Sequence, residues 1–363
     1  MEIKSERIPP SATTTKEKID DVLTEYFESG KFNGVVLAAQ GDDIVYTGAF
    51  GKANFEWDIP NTLDTRFKIA SITKTFTACL VMHLIEIGYI NLDDVITDYL
   101  PDYPSSTGDK ITIEHLLVQS SGIPDYLTKP DFLSDMAVQH HDRYGFIKHF
   151  QDMELEFEPG TDWNYGNSGY YLLGLIIEKA TGLTYEEAMR KHVIEPAGLE
   201  NTGYASSGMV IPKLASGYIK TPDGYEIAPY FHSSVGFSAG MMYSNVTDLF
   251  KWTRALYAGK IIQNRNYLQN MITPQMEDYG YGLFIGAQKV GGQMEVVFGL
   301  FGTIHGFNSQ VSYFYNHDFT IIIMDNTQQC TVDIFFAVRD ILFGNIPEDN
   351  INPSIRSNTF IKP

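Results

Sequence analysis

Strand-type runs lie at the two ends of this chain and helical periodicity fills the middle, and that distribution leaves few ways to fold it. Gly34-Val35-Val36-Leu37-Ala38-Ala39-Gln40 and Ile44-Val45-Tyr46-Thr47-Gly48-Ala49-Phe50 flank Gly41-Asp42-Asp43, the pattern of a hairpin. From residue 279 on, Gly280–Ile285, Met294–Phe298, Gln310–Phe314 and Thr320–Met324 read as strands, and Asn316-His317-Asp318 marks a second hairpin turn. Thr14 to Gly30 and Val332 to Phe343 carry apolar residues at helical spacing. Between the strand blocks, Tyr170–Thr181 and Ser244–Tyr257 read as helices, with Ser244 as N-cap of the second. The expectation is an α+β fold. Its antiparallel sheet is drawn from the N- and C-terminal segments and flanked by helices, with a mostly helical lobe inserted and a site in the cleft between them. One domain over 14–345 would comprise a lobe of about 14–70 and 279–345 and a helical lobe of about 71–278. Residues 1–13 and 346–363 read as tails.

Composition narrows the partners. Forty-five acidic against 26 basic residues give a formal charge of -19, which disfavours nucleic acid and anionic membrane surfaces. No apolar run approaches the roughly 20 residues that span a bilayer. Only Cys79 and Cys330 are present, so neither a disulfide framework nor a zinc-type cysteine cluster is available. Met1-Glu2-Ile3-Lys4-Ser5 lacks the apolar core of a signal peptide. The expected protein is soluble, cytoplasmic as written, or periplasmic or secreted if a leader has been removed.

The first chemistry lies at Ser71-Ile72-Thr73-Lys74, ahead of a helical apolar pattern that ends at Gly88. On a helix, residues i and i+3 share a face, so the Ser71 hydroxyl and the Lys74 amine can meet. A hydroxyl is a weak nucleophile until a base takes its proton, and a desolvated lysine is neutral enough to serve. The second stretch is Tyr165-Gly166-Asn167, in a turn-rich segment just before a helix. Residues two apart in such a backbone can point to one side. A tyrosine in a cationic pocket has its pKa lowered and can act as base or acid, while an asparagine amide bonds both a lysine and a substrate.

Ser71-x-x-Lys74 and Tyr165-x-Asn167, in that order, resemble the serine β-lactamase, penicillin-binding-protein and class C-type esterase superfamily. His115 to Pro124, Pro159 to Gly174, Gly236 to Leu249 and Gly299 to Phe314 are similar to the same family, over roughly residues 20–345. The resemblance implies a β-lactamase/transpeptidase-like fold with Ser71 as acylated nucleophile and Lys74 as its proton acceptor. It makes Tyr165 the second base and acid, and Asn167 the residue that orients Lys74 and the acyl group. The family's third motif, lysine or histidine, then any residue, then glycine, falls on Leu300-Phe301-Gly302, the expected substrate-binding strand. Gly302 keeps the close backbone approach, and the N–H groups of Ser71 and Thr303 would form the oxyanion hole. Leu300 replaces the basic residue, which points away from substrates bearing a carboxylate.

Three other readings compete. Gly236-Phe237-Ser238-Ala239-Gly240 matches the nucleophile elbow of α/β-hydrolases, but no strand reads immediately before it. His140-His141 and the other histidines lack metal-ligand spacing. A retired enzyme kept as a binding or scaffold protein is the third. The expected function is therefore a serine hydrolase working through an acyl-enzyme, without metal or cofactor. Small neutral carboxylic esters come first as substrates. A D-amino-acid peptidase or amidase, or a DD-carboxypeptidase-like enzyme with weak β-lactam turnover, is the alternative.

Overall fold

A computed structural model describes residues 14–344 other than 131, 133, 134, 291 and 330. The two expected tails lie outside the described residues. Helix α1 (Thr15–Glu28) starts from a capping box in which Thr14 and Glu17 satisfy each other's backbone N–H groups. It ends before Gly30, whose φ of 65° is the left-handed turn that a side chain would oppose. Strands β1 (Gly34–Gln40) and β2 (Asp43–Ala49) form the expected N-terminal hairpin.

Helix α2 (Thr73–Glu86) follows a single 3₁₀ turn over Ala70–Ile72, so Ser71 sits on the tight turn that leads into the helix rather than within it. Twelve of its residues are buried, with charged Lys74 among them. Helix α3 (Ser168–Thr181) is the second buried rod. Helix α4 (Ser233–Gly240) breaks at Phe237, where φ is 35° and ψ is −128°. Helix α5 (Val246–Tyr257) is capped by Asn245, whose side chain accepts from Asp248 N at 2.8 Å. Ser244, the expected cap, instead ends the short strand Met242–Ser244, which pairs with Phe67–Lys68 and Gly203–Tyr204. The difference is one residue: asparagine at the boundary outcompetes the serine because Ser244 is committed to a strand.

The C-terminal strands are longer and shifted relative to the sequence expectation. Gly280–Ile285 is not one strand, because Gly282 turns at φ 79° over the Lys74 carbonyl. Strand β3 (Phe284–Val290) begins only after that turn. Strand β4 runs twelve residues, Gln293–Ile304, past the expected end at Phe298 and straight through Gly299 and Gly302. Strands β5 (Phe307–Phe314) and β6 (Phe319–Asp325) complete an antiparallel sheet in the order β3-β4-β5-β6-β1-β2. The N-terminal hairpin thus joins the C-terminal meander through β1 and β6, paired from Gly34↔Asp325 to Gln40↔Phe319. Helix α6 (Val332–Leu342) closes the chain.

The sheet separates two cores. Outward-facing Val36, Ala38, Ile321, Ile323 and Phe314 pack with Ile19, Leu23, Ile334 and Val338 of α1 and α6. Inward-facing Val35, Leu37, Ile322 and Met324 join a larger core with α2, α3 and α5. Alternation along each strand gives the two faces to the two cores, which is the expected α+β layering. Strand β4 pairs with β3 only as far as Gly299, while its pairing with β5 continues to Ile304. Its last five residues therefore present an edge free of β3, and the 3₁₀ turn bearing Ser71 packs beside them.

Candidate active site

The site assembles where that strand end meets the start of α2. Ile69 N bonds Met242 O at 3.0 Å, and the Ser309 hydroxyl donates to Ile69 O at 3.0 Å. A β-carbon at Gly302 would collide with the Ile69 carbonyl, so only glycine lets β4 lie this close to the turn. Ala70 holds φ at 45°, a strained value for a residue with a β-carbon, immediately before Ser71. Ser71 is half-buried, whereas Lys74, one turn on, has no exposed surface.

Three oxygens surround the lysine. Lys74 Nζ donates to Asn167 Oδ1 at 2.8 Å, to Ala239 O at 3.0 Å and to Ser71 Oγ at 3.2 Å. Its charge also lies 4.9 Å from the centre of the Tyr165 ring and 5.8 Å from that of Tyr170. Burial brings its pKa down to about 7, against the opposing pull of the Asp125 carboxylate. A lysine so placed is substantially uncharged near neutrality. Once neutral it offers a lone pair to the Ser71 proton, and the bond between them reverses direction.

Tyr165 and Asn167 are held from behind. Gln119 clamps Gly166 between them, donating to its carbonyl at 3.1 Å and accepting from its N–H at 3.2 Å. Asn167 Nδ2 donates to Asp125 Oδ2 at 2.9 Å. The amide is therefore fixed in sense, oxygen to the lysine and nitrogen to the carboxylate. Tyr165 is half-buried and stacks on Phe284 at 6.0 Å, with Tyr279 edge-on at 6.1 Å. This aromatic wall pushes the phenol pKa up, with the Ser71 hydroxyl opposing. The sequence expectation of a lowered value is corrected here: desolvation dominates, and the Asp125 carboxylate adds to it. Tyr165 is thus held in its neutral, protonated form rather than as a standing tyrosinate.

Of the expected substrate strand, Thr303 is exposed and Phe301 half-buried beside the Ser71 turn. Leu300 is only 2% exposed and belongs to the large core. It is packing rather than open cleft wall, a correction to its expected role as a substrate contact. Two competitors are also located. Ser238 is wholly buried in α4 and donates to Tyr170 O at 2.8 Å, so its hydroxyl is spent and inaccessible. His140, His141 and His232 line a pocket of about 300 Å³ with Arg143 and Tyr204. Among the described residues, no three His, Cys, Asp or Glu side chains are arranged to hold a metal ion.

Sequence reasoning missed Asp125, Gln119 and Ala239. Asp125 follows Ile123-Pro124 as one loop aspartate among many, and only the fold brings it to Asn167.

The chain is similar to known proteins over most of its length. Residues 19–337 match the Beta-lactamase family model. Penicillin-binding protein 4* of Bacillus subtilis (strain 168) is 29% identical over 347 residues, covering 88% of this chain and 75% of that protein. The crystal structure of a penicillin-binding protein from Bacillus halodurans superposes with a TM-score of 0.78 at 31% identity, over 87% of this chain and 98% of that one. A D-stereospecific amidohydrolase from Streptomyces sp. gives 0.73 at 27% identity, over 88% of this chain and 97% of that one. The β-lactamase/transpeptidase-like fold expected from the motifs is thereby established, and the chain belongs to the Beta-lactamase family, as a serine hydrolase of the β-lactamase and penicillin-binding-protein kind.

Proposed function

We propose that this protein hydrolyses small uncapped amides and short peptides of D-amino acids, and short neutral esters with them, through an acyl-enzyme on Ser71. The expectation that put carboxylic esters first gains no support from the relatives. The D-stereospecific amidohydrolase and the penicillin-binding proteins support the alternative, since the first is named for amide hydrolysis at D-centres and the second for binding penicillin. The observation that carries the reading is the wholly buried Lys74 amine, 3.2 Å from Ser71 Oγ with a pKa near 7.

The chemistry follows from those positions. Neutral Lys74 takes the Ser71 proton as Oγ attacks the carbonyl carbon, and the oxyanion is met by the N–H groups of Ser71 and Thr303. The Tyr165 hydroxyl gives its proton to the leaving amine as the C–N bond breaks, and is reprotonated from the Lys74 side. Water then attacks the ester carbonyl, its proton passing back through the same pair, and Ser71 leaves as the alcohol. Leu300 supplies no cation at the position where the family's third motif has one, so a substrate carboxylate loses a charge-assisted bond worth about 1.5–3 kcal/mol.

The test is direct. Incubation with a D-amino-acid nitroanilide, a short nitrophenyl ester and a cephalosporin, alongside a fluorophosphonate probe and peptide mapping, reads both substrate and nucleophile. The expected result is label on Ser71 and turnover of the D-anilide over its L-isomer. Absence of any label would reinstate the binding-protein reading, and a preference for the L-isomer would remove the D-amino-acid assignment.

A further inference from the structure

We infer that Asp125 is a positioning residue for the proposed base Lys74: it fixes the Asn167 amide so that its oxygen faces Lys74, and its carboxylate faces the amine across that amide. This rests on the reading of Lys74 as base and goes one step behind it.

The geometry is a relay of three side chains from three distant stretches. Asp125 Oδ2 accepts from Asn167 Nδ2 at 2.9 Å, and Asn167 Oδ1 accepts from Lys74 Nζ at 2.8 Å. An amide is nearly symmetric in shape, so shape alone does not choose its sense. A carboxylate can only accept from Asn167, so it fixes the nitrogen on its own side and leaves the oxygen for the lysine. Without that anchor the amide can rotate and present Nδ2 to the amine, two donors against each other. A β-carbon added at Gly166, between Tyr165 and Asn167, would lie 3.4 Å from the Asp125 β-carbon, so the turn runs in van der Waals reach of Asp125.

The electrostatics point the same way. Lys74 is faced by the Ser71 hydroxyl, the Asn167 and Ala239 oxygens, and the rings of Tyr165 and Tyr170. Among the described residues, Asp125 is the carboxylate that acts on it, and it opposes the desolvation that lowers its pKa. Asp125 in turn is raised by its own desolvation and held down by Leu127 N, Lys74 and Asn167. The two charges therefore stabilise each other across Asn167.

Asp125 also caps the short 3₁₀ turn Tyr126–Thr128 through Leu127 N at 3.2 Å, so a purely structural role has to be separated from the positioning one. Two substitutions do this. Asp125→Asn removes the charge and keeps one acceptor oxygen, which can serve Asn167 or Leu127 N but not both. The acid limb of its kcat/KM should move about one pH unit toward acid. Asp125→Ser keeps a good cap but is too short to reach Asn167. Its melting temperature should hold, while kcat falls about tenfold or more at nearly unchanged KM. An unmoved limb in Asp125→Asn, or parental kcat in Asp125→Ser, overturns the inference. If the parent itself shows no ionisation near pH 7, the assignment of Lys74 as base fails and the inference falls with it. A limb present in the parent and unmoved in the variant removes only the role of Asp125.

Discussion

The Lys74 amine donates to the main-chain oxygen of Ala239 at 3.0 Å, across 165 residues of sequence. That carbonyl is available because α4 ends at Gly240, so Ala239 lies in its last turn, where carbonyls have no donor four residues on. The helix also breaks two residues earlier, at Phe237, where the backbone takes φ 35° and ψ −128°. The Ala239 oxygen gives the lysine an acceptor that no side chain supplies. With Ala70 at φ 45° on the other side of Ser71, two strained residues flank the nucleophile–base pair. The buried core around α2 and α4 is what holds them there.

A base that must be neutral to work gives a pH dependence of known sign. Lys74 titrates near 7, so below that pH it is charged and cannot accept the Ser71 proton. With a substrate that does not itself titrate, kcat/KM should fall about tenfold per unit below pH 7 and level off above it. Lys74→Ala should lose that limb and about 10²–10⁴-fold of the rate. A profile flat from pH 5 to 8 would mean that another group activates Ser71.

In the proposed mechanism Tyr165 and Lys74 share one proton path, since a phenol that stays protonated would relay what the lysine takes up or returns. Residues that act as a unit are strongly non-additive. Tyr165→Phe should cost rate severely while leaving fluorophosphonate labelling of Ser71 measurable, because the first proton goes to Lys74. The Tyr165→Phe, Lys74→Ala double variant should be little worse than the poorer single one. Multiplicative losses in that cycle would show two independent roles.

How much of this was legible beforehand depends on how local each signal is. Ser71 and Lys74 are three residues apart on one turn, and α1 carries its cap and its stop in Thr14 and Gly30, so both could be read directly. The C-terminal strands were placed, but their ends were not. The turn at Gly282 is imposed by its packing on the Lys74 carbonyl, and the length of β4 comes from pairing with β5. The direction of the Tyr165 shift was misread because the rings that desolvate it, Tyr279 and Phe284, lie more than a hundred residues downstream. Asp125 and Ala239 became visible only through the fold, since neither a loop aspartate nor a backbone carbonyl carries a signal of its own.

Ser238 offers a control in the same helix break. Its hydroxyl donates to Tyr170 O and lies against Gly174, where a β-carbon would collide with it. Ser238→Ala should leave labelling and turnover near parental values and remove one buried hydrogen bond, at a cost of about 1 kcal/mol in a melting experiment. Loss of label in this variant, with its melting temperature retained, would return the elbow to consideration.

Leu300 leaves the strand edge without the basic residue of the related motif. It pairs with Val311 on β5, is 2% exposed and packs in the large core, so its side chain is committed to apolar neighbours. Replacing it by lysine does not simply restore the basic residue of the related motif. The ammonium would be desolvated among those neighbours, and the leucine's own packing would be lost, a combined cost on the order of 2–5 kcal/mol. Leu300→Lys should therefore melt at a lower temperature, with any gain in cephalosporin turnover appearing only if the lysine finds the substrate carboxylate as its partner. In the parent, the missing charge-assisted bond, about 1.5–3 kcal/mol, corresponds to roughly tenfold to a few hundredfold in kcat/KM. The net charge of -19 opposes anionic substrates further at low salt. The comparison that checks both points is kcat/KM for a neutral D-amino-acid amide against a cephalosporin, for parent and variant, beside their melting curves. A parent that turns over the cephalosporin as efficiently as the neutral amide would show that a cation elsewhere in the cleft serves the carboxylate.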